Sequence, residues 1–203
     1  LEESNQQLER QRAELETLAT RDPLTGLFNR REFVRLAEEE LARARRNHSA
    51  LSLLMIDLDH FKTINDRFGH PTGDDVLRNV ADLMERSVRQ TDRVARFGGE
   101  EFMLLLPDTS AADALHLANK LRQKLADTPI ASIGAPVTAS MGLACMPAGK
   151  TLALDILLRQ TDRALYQAKH MGRNRTVVAP VELETLTSAH HPSTTHKTNT
   201  PAP

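Results

Sequence analysis

The chain has 203 residues, and 40% of them are hydrophobic, which is enough for one globular domain with a substantial core. Its 26 basic and 27 acidic side chains give a net charge of -1, so no global positive field favours a nucleic-acid polymer or an anionic membrane. The single cysteine, Cys145, excludes an internal disulfide framework, and no apolar run approaches the roughly 18 residues of a membrane span. We expect a cytoplasmic protein, or the cytoplasmic part of a larger, membrane-anchored one.

The first predicted element is a helix over residues 1–20, in which Leu1, Leu8 and Leu15 recur every seven positions. Leu18 adds a second apolar position among Glu, Gln, Arg and Ala residues. A narrow apolar seam of this kind is typical of a parallel coiled coil that leads into a domain. A lone amphipathic helix packed on its own domain is the alternative.

Residues 21–180 alternate between helical and strand patterns, and residues 181–203, rich in Thr, Ser and Pro, are expected to form a disordered tail. Gly98 and Gly99 suit a two-residue hairpin loop with positive φ. The element order predicts an α+β fold with a mostly antiparallel central sheet covered by helices. In chain order the patterns predict a helix from about Phe28, a buried strand in 50–61, a short helix closed by Gly69, a helix in 71–89, strands in 92–97 and 100–107, a helix in 110–128 capped by Ser110, a strand in 137–146, a helix in 152–171 and a strand in 175–180.

Acidic residues cluster at the ends of two predicted strands. Asp57 and Asp59 close one strand, while Glu100 and Glu101 open another. If these strands are neighbours, Asp57 and a glutamate converge at one edge of the sheet, where their repulsion calls for a cation such as Mg²⁺. A solvated loop rim is the alternative for any Asp pair taken alone.

Three basic residues accompany these acids. Lys62 follows the aspartates, while Lys169 and Arg173 lie four residues apart on one face of the last helix, which Gly172 ends. Fixed cations beside a metal-binding carboxylate pair suit a nucleoside triphosphate. Taken alone, such basic residues are usually solvent-facing charges.

Four longer motifs follow one another along the chain: "DPLTGLFNRREF" (22–33), "DLDHFKTINDRFGHPTGDDVL" (57–77), "RFGGEEF" (96–102) and "YQAKHMGRN" (166–174). Together they resemble the GGDEF domain of bacterial diguanylate cyclases. The resemblance covers about residues 20 to 180 and implies a fold similar to nucleotidyl cyclase and polymerase palm domains. It also implies that two GTP molecules condense to cyclic dimeric GMP with release of two pyrophosphates.

The resemblance also implies roles for individual residues. Mg²⁺, or Mn²⁺ in its place, would be held by Asp57, the backbone carbonyl of Leu58, and Glu100. Glu100, Glu101, Lys62 and Gly99 would be catalytic, with Glu101 contacting a second metal or acting as general base. The substrate would contact the backbone N–H groups of His60 and Phe61 and the side chains of Lys62, Asn65, His70, Asp74, Lys169 and Arg173.

Asn65 and Asp74 would recognise guanine, which fits the chemistry of the base. Guanine presents N1–H and N2–H₂ donors that suit a carboxylate, and acceptors to which an amide can donate. If the family resemblance is left aside, Asp74 is better explained as an acidic residue favoured at a helix N-terminus.

"RQTD" places Arg89 and Asp92 where the family carries an inhibitory product-binding site. An arginine fork can bind guanine acceptors or phosphate, while an aspartate accepts from N1–H and N2–H₂. If the family resemblance is left aside, a surface ion pair between Arg89 and Asp92 is the simpler explanation. We therefore expect feedback inhibition by the product.

One domain would hold one GTP, whereas the product needs two attacking hydroxyls. The resemblance therefore implies a homodimer, brought together by the coiled coil and controlled by an upstream sensor domain that is missing from this chain. A non-catalytic receptor for cyclic dimeric GMP or GTP is the alternative, but the retained acids and cations favour catalysis. A polymerase-like or adenylyl cyclase-like enzyme fits the carboxylates but not Asn65 with Asp74.

Overall fold

The computed structural model describes Gln7 and residues 17–180. Residues 17–20 are helical. The rest of the predicted coiled coil, and the whole predicted tail over residues 181–203, lie outside the described residues. Within the described part, no helix combines the length and the apolar character needed to cross a membrane.

Helices and strands alternate along the described chain, largely as the sequence patterns predict. Asn29 begins the first long helix by accepting a hydrogen bond from the backbone N–H of Glu32, so the helix starts after the expected Phe28. Gly69, with φ of 85°, ends the short helix as predicted. The elements are β1 (Phe28–Asn29), α1 (Arg30–Asn47), β2 (Leu51–Leu58), α2 (Phe61–Phe68), α3 (His70–Glu85), β3 (Arg93–Arg96), β4 (Glu101–Pro107), α4 (Ala111–Asp127), β5 (Ala139–Met146), α5 (Leu154–His170) and β6 (Thr176–Val178).

The strands form one sheet in the order β1-β3-β4-β2-β5-β6. The inner strands pair antiparallel, but β1 pairs parallel with β3, and β6 pairs parallel with β5. The prediction of a mostly antiparallel sheet was therefore wrong, because the sheet is mixed. The helix α5 provides the crossover that lets β6 return in the same direction as β5.

The sheet is covered on both faces, and β2, at its centre, is buried along its whole length. One core cluster joins the sheet to α2, α3 and α4, and a second joins it to α1 and α5. A Cβ at Gly142 in β5 would collide with backbone atoms of Thr161 and Leu165 in α5. This close approach fixes α5 against the sheet and thereby positions its C-terminal end beside the end of β2.

Candidate nucleotide and metal site

Two strands and one helix bring acidic and basic side chains together at one edge of the sheet. Asp57, near the end of β2, pairs with Glu101 of β4 on one side and with Ser140 of β5 on the other. The Nζ atom of Lys169, in the last turn of α5, lies 2.7 Å from the Oδ2 atom of Asp57. The predicted convergence of Asp57 with the glutamate-bearing strand is therefore present.

The carboxyl groups of Asp57 and Glu100 both have a raised pKa. Burial raises the pKa of Asp57, although the ammonium of Lys169 and the charge of Arg173 oppose that rise. Burial also raises the pKa of Glu100, and the negative charge of Asp57 raises it further. Burial is the largest cause for both groups and the neighbouring carboxylate adds to it, and a bound metal ion would oppose both effects.

The donor set fits a hard divalent ion that is shared with a substrate. Among the described residues, no group of three His, Cys, Asp or Glu side chains is placed to hold a metal ion. Mg²⁺ is commonly held by one or two carboxylates together with substrate phosphates, so Asp57 and Glu100 suffice for such a site. Leu58, at the end of β2, donates its backbone N–H to the carbonyl oxygen of Glu100 at 3.3 Å. The backbone of Leu58, including its carbonyl group, therefore lies beside Glu100.

The loop between β3 and β4 differs from the expected two-residue hairpin. Neither Gly98 nor Gly99 has positive φ. The backbone N–H groups of Phe97 and Gly98 both donate to the carbonyl oxygen of Glu101, at 2.8 and 3.2 Å. Glu100 consequently lies in the loop rather than in β4, and the alternation of side chains along a strand does not determine its direction.

The two glycines of this loop have different surroundings. A Cβ at Gly98 would overlap the carboxylate of Glu101, which therefore folds back over that residue, whereas a Cβ at Gly99 would meet open space. Glu100 and Glu101 thus differ in placement, because Glu101 begins β4 and its carboxylate lies over Gly98, whereas Glu100 lies in the loop.

Arg96 and Asp22 form a connection that the sequence patterns did not indicate. The guanidinium of Arg96 donates to the carbonyl oxygen of Gly99 at 2.8 and 3.1 Å, and to the carboxylate of Asp22 at 3.2 Å. Burial would raise the pKa of Asp22, but hydrogen bonds from Thr25 and Arg96 hold it below its usual value. The motif "DPLTG", quoted above without a role for its aspartate, thereby supports the loop that carries Glu100.

The residues expected to bind phosphate lie on the segments that follow β2 and at the C-terminal end of α5. His60 has φ of 59° and directly precedes α2, whose first residue, Phe61, is buried. Lys62 is exposed on α2. Arg173 was expected on one face of the last helix with Lys169, but α5 ends at His170 and Arg173 lies in the turn that follows, with φ of 61°. Its N–H donates to the carbonyl oxygen of Ala168 at 3.1 Å.

The residues expected to recognise guanine lie between α2 and α3. A Cβ at Gly73 would collide with the side-chain amide of Asn65, so the two helices meet at this glycine. Asp74 is the next residue of α3 and is partly buried, and His70 is exposed at the start of the same helix. The structure therefore brings Asn65 and Asp74 to one junction.

Asp59, which the sequence grouped with Asp57, has its own partners. It is buried, and its carboxylate accepts hydrogen bonds from Thr138, Ser140 and the backbone of Asn174. Both carboxylate oxygens of Asp59 thus accept hydrogen bonds within the fold, so Asp59 has a different role from Asp57.

Arg89 and Asp92 lie apart from this cluster, at the opposite end of β3 from the glycine loop. The Oδ2 atom of Asp92 accepts a hydrogen bond from the backbone N–H of Arg89 at 2.8 Å, and burial raises the pKa of the Asp92 carboxyl. Cavities of about 240 and about 540 Å³ border this turn on its two sides. The pair is therefore a separate candidate site.

Comparison with known proteins confirms the family resemblance. Residues 19–175 match the family described as diguanylate cyclase, GGDEF domain. The chain is 43% identical over 163 residues to the diguanylate cyclase DgcP of Pseudomonas aeruginosa, and 41% identical over 164 residues to the response regulator PleD of Caulobacter vibrioides. Each match covers 79% of this chain, but the chain spans only 24% and 36% of the length of these relatives.

The fold is also similar to a solved structure, that of the coiled coil and GGDEF domain of DgcB from Caulobacter crescentus in complex with c-di-GMP. The two chains are 32% identical and superpose with a TM-score of 0.77, over 87% of this chain and 96% of the other.

Proposed function

The chain belongs to the GGDEF family, and on that premise we propose that it is a diguanylate cyclase that condenses two GTP molecules into cyclic di-GMP and two pyrophosphates. The observation that carries this proposal is the cluster of Asp57, Glu100 and Lys169 at one edge of the sheet. Acids whose pKa is raised mainly by burial and further by a neighbouring carboxylate, beside fixed cations, suit a metal-bound triphosphate.

Asp57, Glu100 and the backbone carbonyl of Leu58 would hold Mg²⁺, with Mn²⁺ as an alternative ion. When bound, the metal ion supplies positive charge to the triphosphate and lowers the pKa of the attacking 3′-hydroxyl. Glu101 would act on the proton of that hydroxyl or contact a second ion. Gly99 would leave space for the ribose and phosphate, since a side chain there would occupy the open space beside the loop.

The basic residues would bind the β- and γ-phosphates and stabilise the departing pyrophosphate. Lys169 and Arg173 already influence Asp57 electrostatically, so both can neutralise charge close to the metal ligands. Lys62, the second residue of α2, would add a third cation. The N–H groups of His60 and Phe61 would bind phosphate at the start of α2, where backbone donors have no partner within the helix.

Guanine would bind at the junction of α2 and α3. Asp74 would accept from N1–H and N2–H₂, and the amide of Asn65 would donate to the base. His70, at the exposed start of α3, would lie at the rim of this pocket. An adenine base would offer Asp74 the wrong donors, so this arrangement favours GTP over ATP.

Two features would regulate the enzyme. Arg89 and Asp92 would bind cyclic di-GMP and inhibit the reaction, since they lie beside cavities away from the catalytic edge. The helix of residues 1–20 would form a coiled coil that holds two domains face to face and receives a signal from an upstream sensor. The solved DgcB structure, which includes a coiled coil, supports that arrangement.

The decisive experiment is incubation of the protein with GTP and Mg²⁺, followed by identification of the product by mass spectrometry. Cyclic di-GMP with two equivalents of pyrophosphate is the expected result. Binding of GTP or cyclic di-GMP without turnover would favour the receptor alternative, which the retained acids and cations argue against.

A further inference from the structure

The buried carboxylate of Asp59 holds the turn that carries Arg173. Asp59 is only 5% exposed, and its Oδ1 atom accepts a hydrogen bond from the hydroxyl of Ser140 at 2.7 Å. Its Oδ2 atom accepts from the hydroxyl of Thr138 at 2.8 Å and from the backbone N–H of Asn174 at 3.0 Å. One carboxylate thus ties the start of β5 to the segment that follows α5.

This turn has an unfavourable backbone conformation that needs external support. Gly172, Arg173 and Asn174 have φ values of 111°, 61° and 44°. The left-handed region is disfavoured for residues with a Cβ, so Arg173 and Asn174 adopt it only where the surrounding structure compensates. Besides Asp59, Arg122 of α4 supports the turn, by donating to the Asn174 side-chain oxygen at 3.1 Å.

We propose that Asp59 is a positioning residue for phosphate binding: by fixing the backbone of Asn174, it sets where the adjacent guanidinium of Arg173 lies relative to Asp57. This inference rests on the proposed function, because it deepens the assignment of Arg173 to the triphosphate. Arg173 donates its backbone N–H to the carbonyl oxygen of Ala168, the residue before Lys169, whose Nζ atom lies 2.7 Å from Asp57, so a displaced turn would move a cation away from the site. Asp59 itself does not contact the nucleotide.

The test compares the full chain with its Asp59→Asn, Arg173→Ala and double variants. An asparagine retains the shape but presents an N–H₂ group where one of the carboxylate oxygens accepts hydrogen bonds. The probes are 3′-deoxyguanosine triphosphate, which lacks the attacking hydroxyl, and 3′-deoxyguanosine monophosphate, which lacks the β- and γ-phosphates. Their dissociation constants are measured by calorimetry in the presence of Mg²⁺.

We expect Asp59→Asn to weaken the triphosphate about tenfold, as loss of a charge-assisted hydrogen bond does, and the monophosphate less than about twofold. In the Arg173→Ala background, Asp59→Asn should cause no further weakening, because the residue acts through Arg173. Equal weakening of both nucleotides, or additive effects in the double variant, would overturn the proposal. A wild-type chain that binds neither nucleotide would instead contradict the proposed function.

Thr138→Val provides a milder variant in case Asp59→Asn does not fold. It removes one hydrogen bond to Oδ2 of Asp59 and keeps the volume and the buried charge. The expected result is a smaller loss of affinity, about threefold, again confined to the triphosphate. Unchanged triphosphate binding together with faster hydrogen exchange at Asn174 would show that the turn does not govern Arg173, and would also overturn the proposal.

Discussion

Arg96 and Asp22 form an ion pair at 3.2 Å, although they lie 74 residues apart in the sequence. Their side chains are only 17% and 18% exposed, so the pair is better shielded from solvent than the surface ion pairs of the helices. The same guanidinium donates to the carbonyl oxygen of Gly99, next to Glu100. The segment that enters the domain is therefore connected to the loop that carries a proposed metal ligand.

Arg96→Ala should lower kcat more than it raises the KM for GTP. The substitution frees the Gly99 carbonyl and lets the loop move, while the proposed guanine and phosphate contacts stay in place. We expect about a tenfold loss of kcat, the scale of a hydrogen bond to a charged group. Arg78→Ala, which removes an exposed ion pair with Asp75, is the control and should leave kcat unchanged. A loss confined to KM would contradict the positioning role.

Glu100→Gln should stabilise the metal-free protein at pH 7 while abolishing activity. The folded chain raises the pKa of Glu100, so its contribution to stability is present at low pH and is lost as the pH rises through that raised value. At pH 7 the ionised side chain therefore destabilises the fold, and removing the charge should raise Tm by a few degrees. The gain should disappear below about pH 4, where the acid is protonated in both states.

The adjacent Glu101→Gln variant is the matched control for this prediction. Together with 3′-deoxyguanosine triphosphate, Mg²⁺ should raise the Tm of wild type and of Glu101→Gln, but not of Glu100→Gln. Turnover should be lost in both variants, since Glu101 is assigned to the reaction rather than to the first metal ion. A Mg²⁺ response retained by Glu100→Gln would remove that residue from the proposed metal ligands.

Gly73→Ala should raise the KM for GTP without unfolding the domain. The new methyl group would displace the side-chain amide of Asn65, whereas alanine itself favours the helix by up to about 1 kcal/mol over glycine. We expect KM to rise about tenfold with Tm almost unchanged. Asn79→Ala, on the exposed face of the same helix, should alter neither value. An unchanged KM would show that Asn65 does not contact guanine.

Arg89→Ala should abolish inhibition by cyclic di-GMP and leave the initial rate unaltered, because Arg89 lies at the other end of β3 from the proposed catalytic loop. Initial rates are measured across a range of added cyclic di-GMP. Arg86→Ala replaces an arginine that is 79% exposed on the same part of the chain and should remain inhibited. Full inhibition of Arg89→Ala would refute the assignment.

Removal of residues 1–16 should lower specific activity at a given protein concentration, because two domains would then meet only by diffusion. The loss should be largest in dilute samples and should diminish as the concentration is raised. Sedimentation of both forms would report the accompanying change in mass. Equal specific activity of the two forms across the dilution series would contradict a role for the predicted coiled coil.

The convergence of acids at this edge of the sheet was predictable because they stand at the ends of strongly apolar strands. Asp57 follows six buried residues of β2, and Glu101 precedes the buried part of β4, so both had to lie where the strands emerge from the core. The position of Lys169 near this edge could also be predicted, because the helical spacing of α5 places its side chain on the face that points toward the sheet edge.

Other parts of the fold were not accessible from the sequence. The strands β1 and β6 comprise two and three residues, too short for a periodic pattern, so their parallel pairing could not be foreseen. Neither glycine of the hairpin loop has positive φ, and the backbone N–H groups of Phe97 and Gly98 bond to the Glu101 carbonyl, which a Gly-Gly pair in the sequence does not indicate. The partners of Asp59, and the Asp22 partner of Arg96, come from distant segments, which no local spacing reveals.

The bond between Asp59 and Asn174 spans 115 residues and has a consequence for the order of folding. Contacts of such high sequence separation form late, since the loop between them must first close. During synthesis, the proposed metal ligands emerge from the ribosome well before the turn that carries Arg173. A nascent chain therefore lacks part of the proposed triphosphate site until nearly the whole domain has been made.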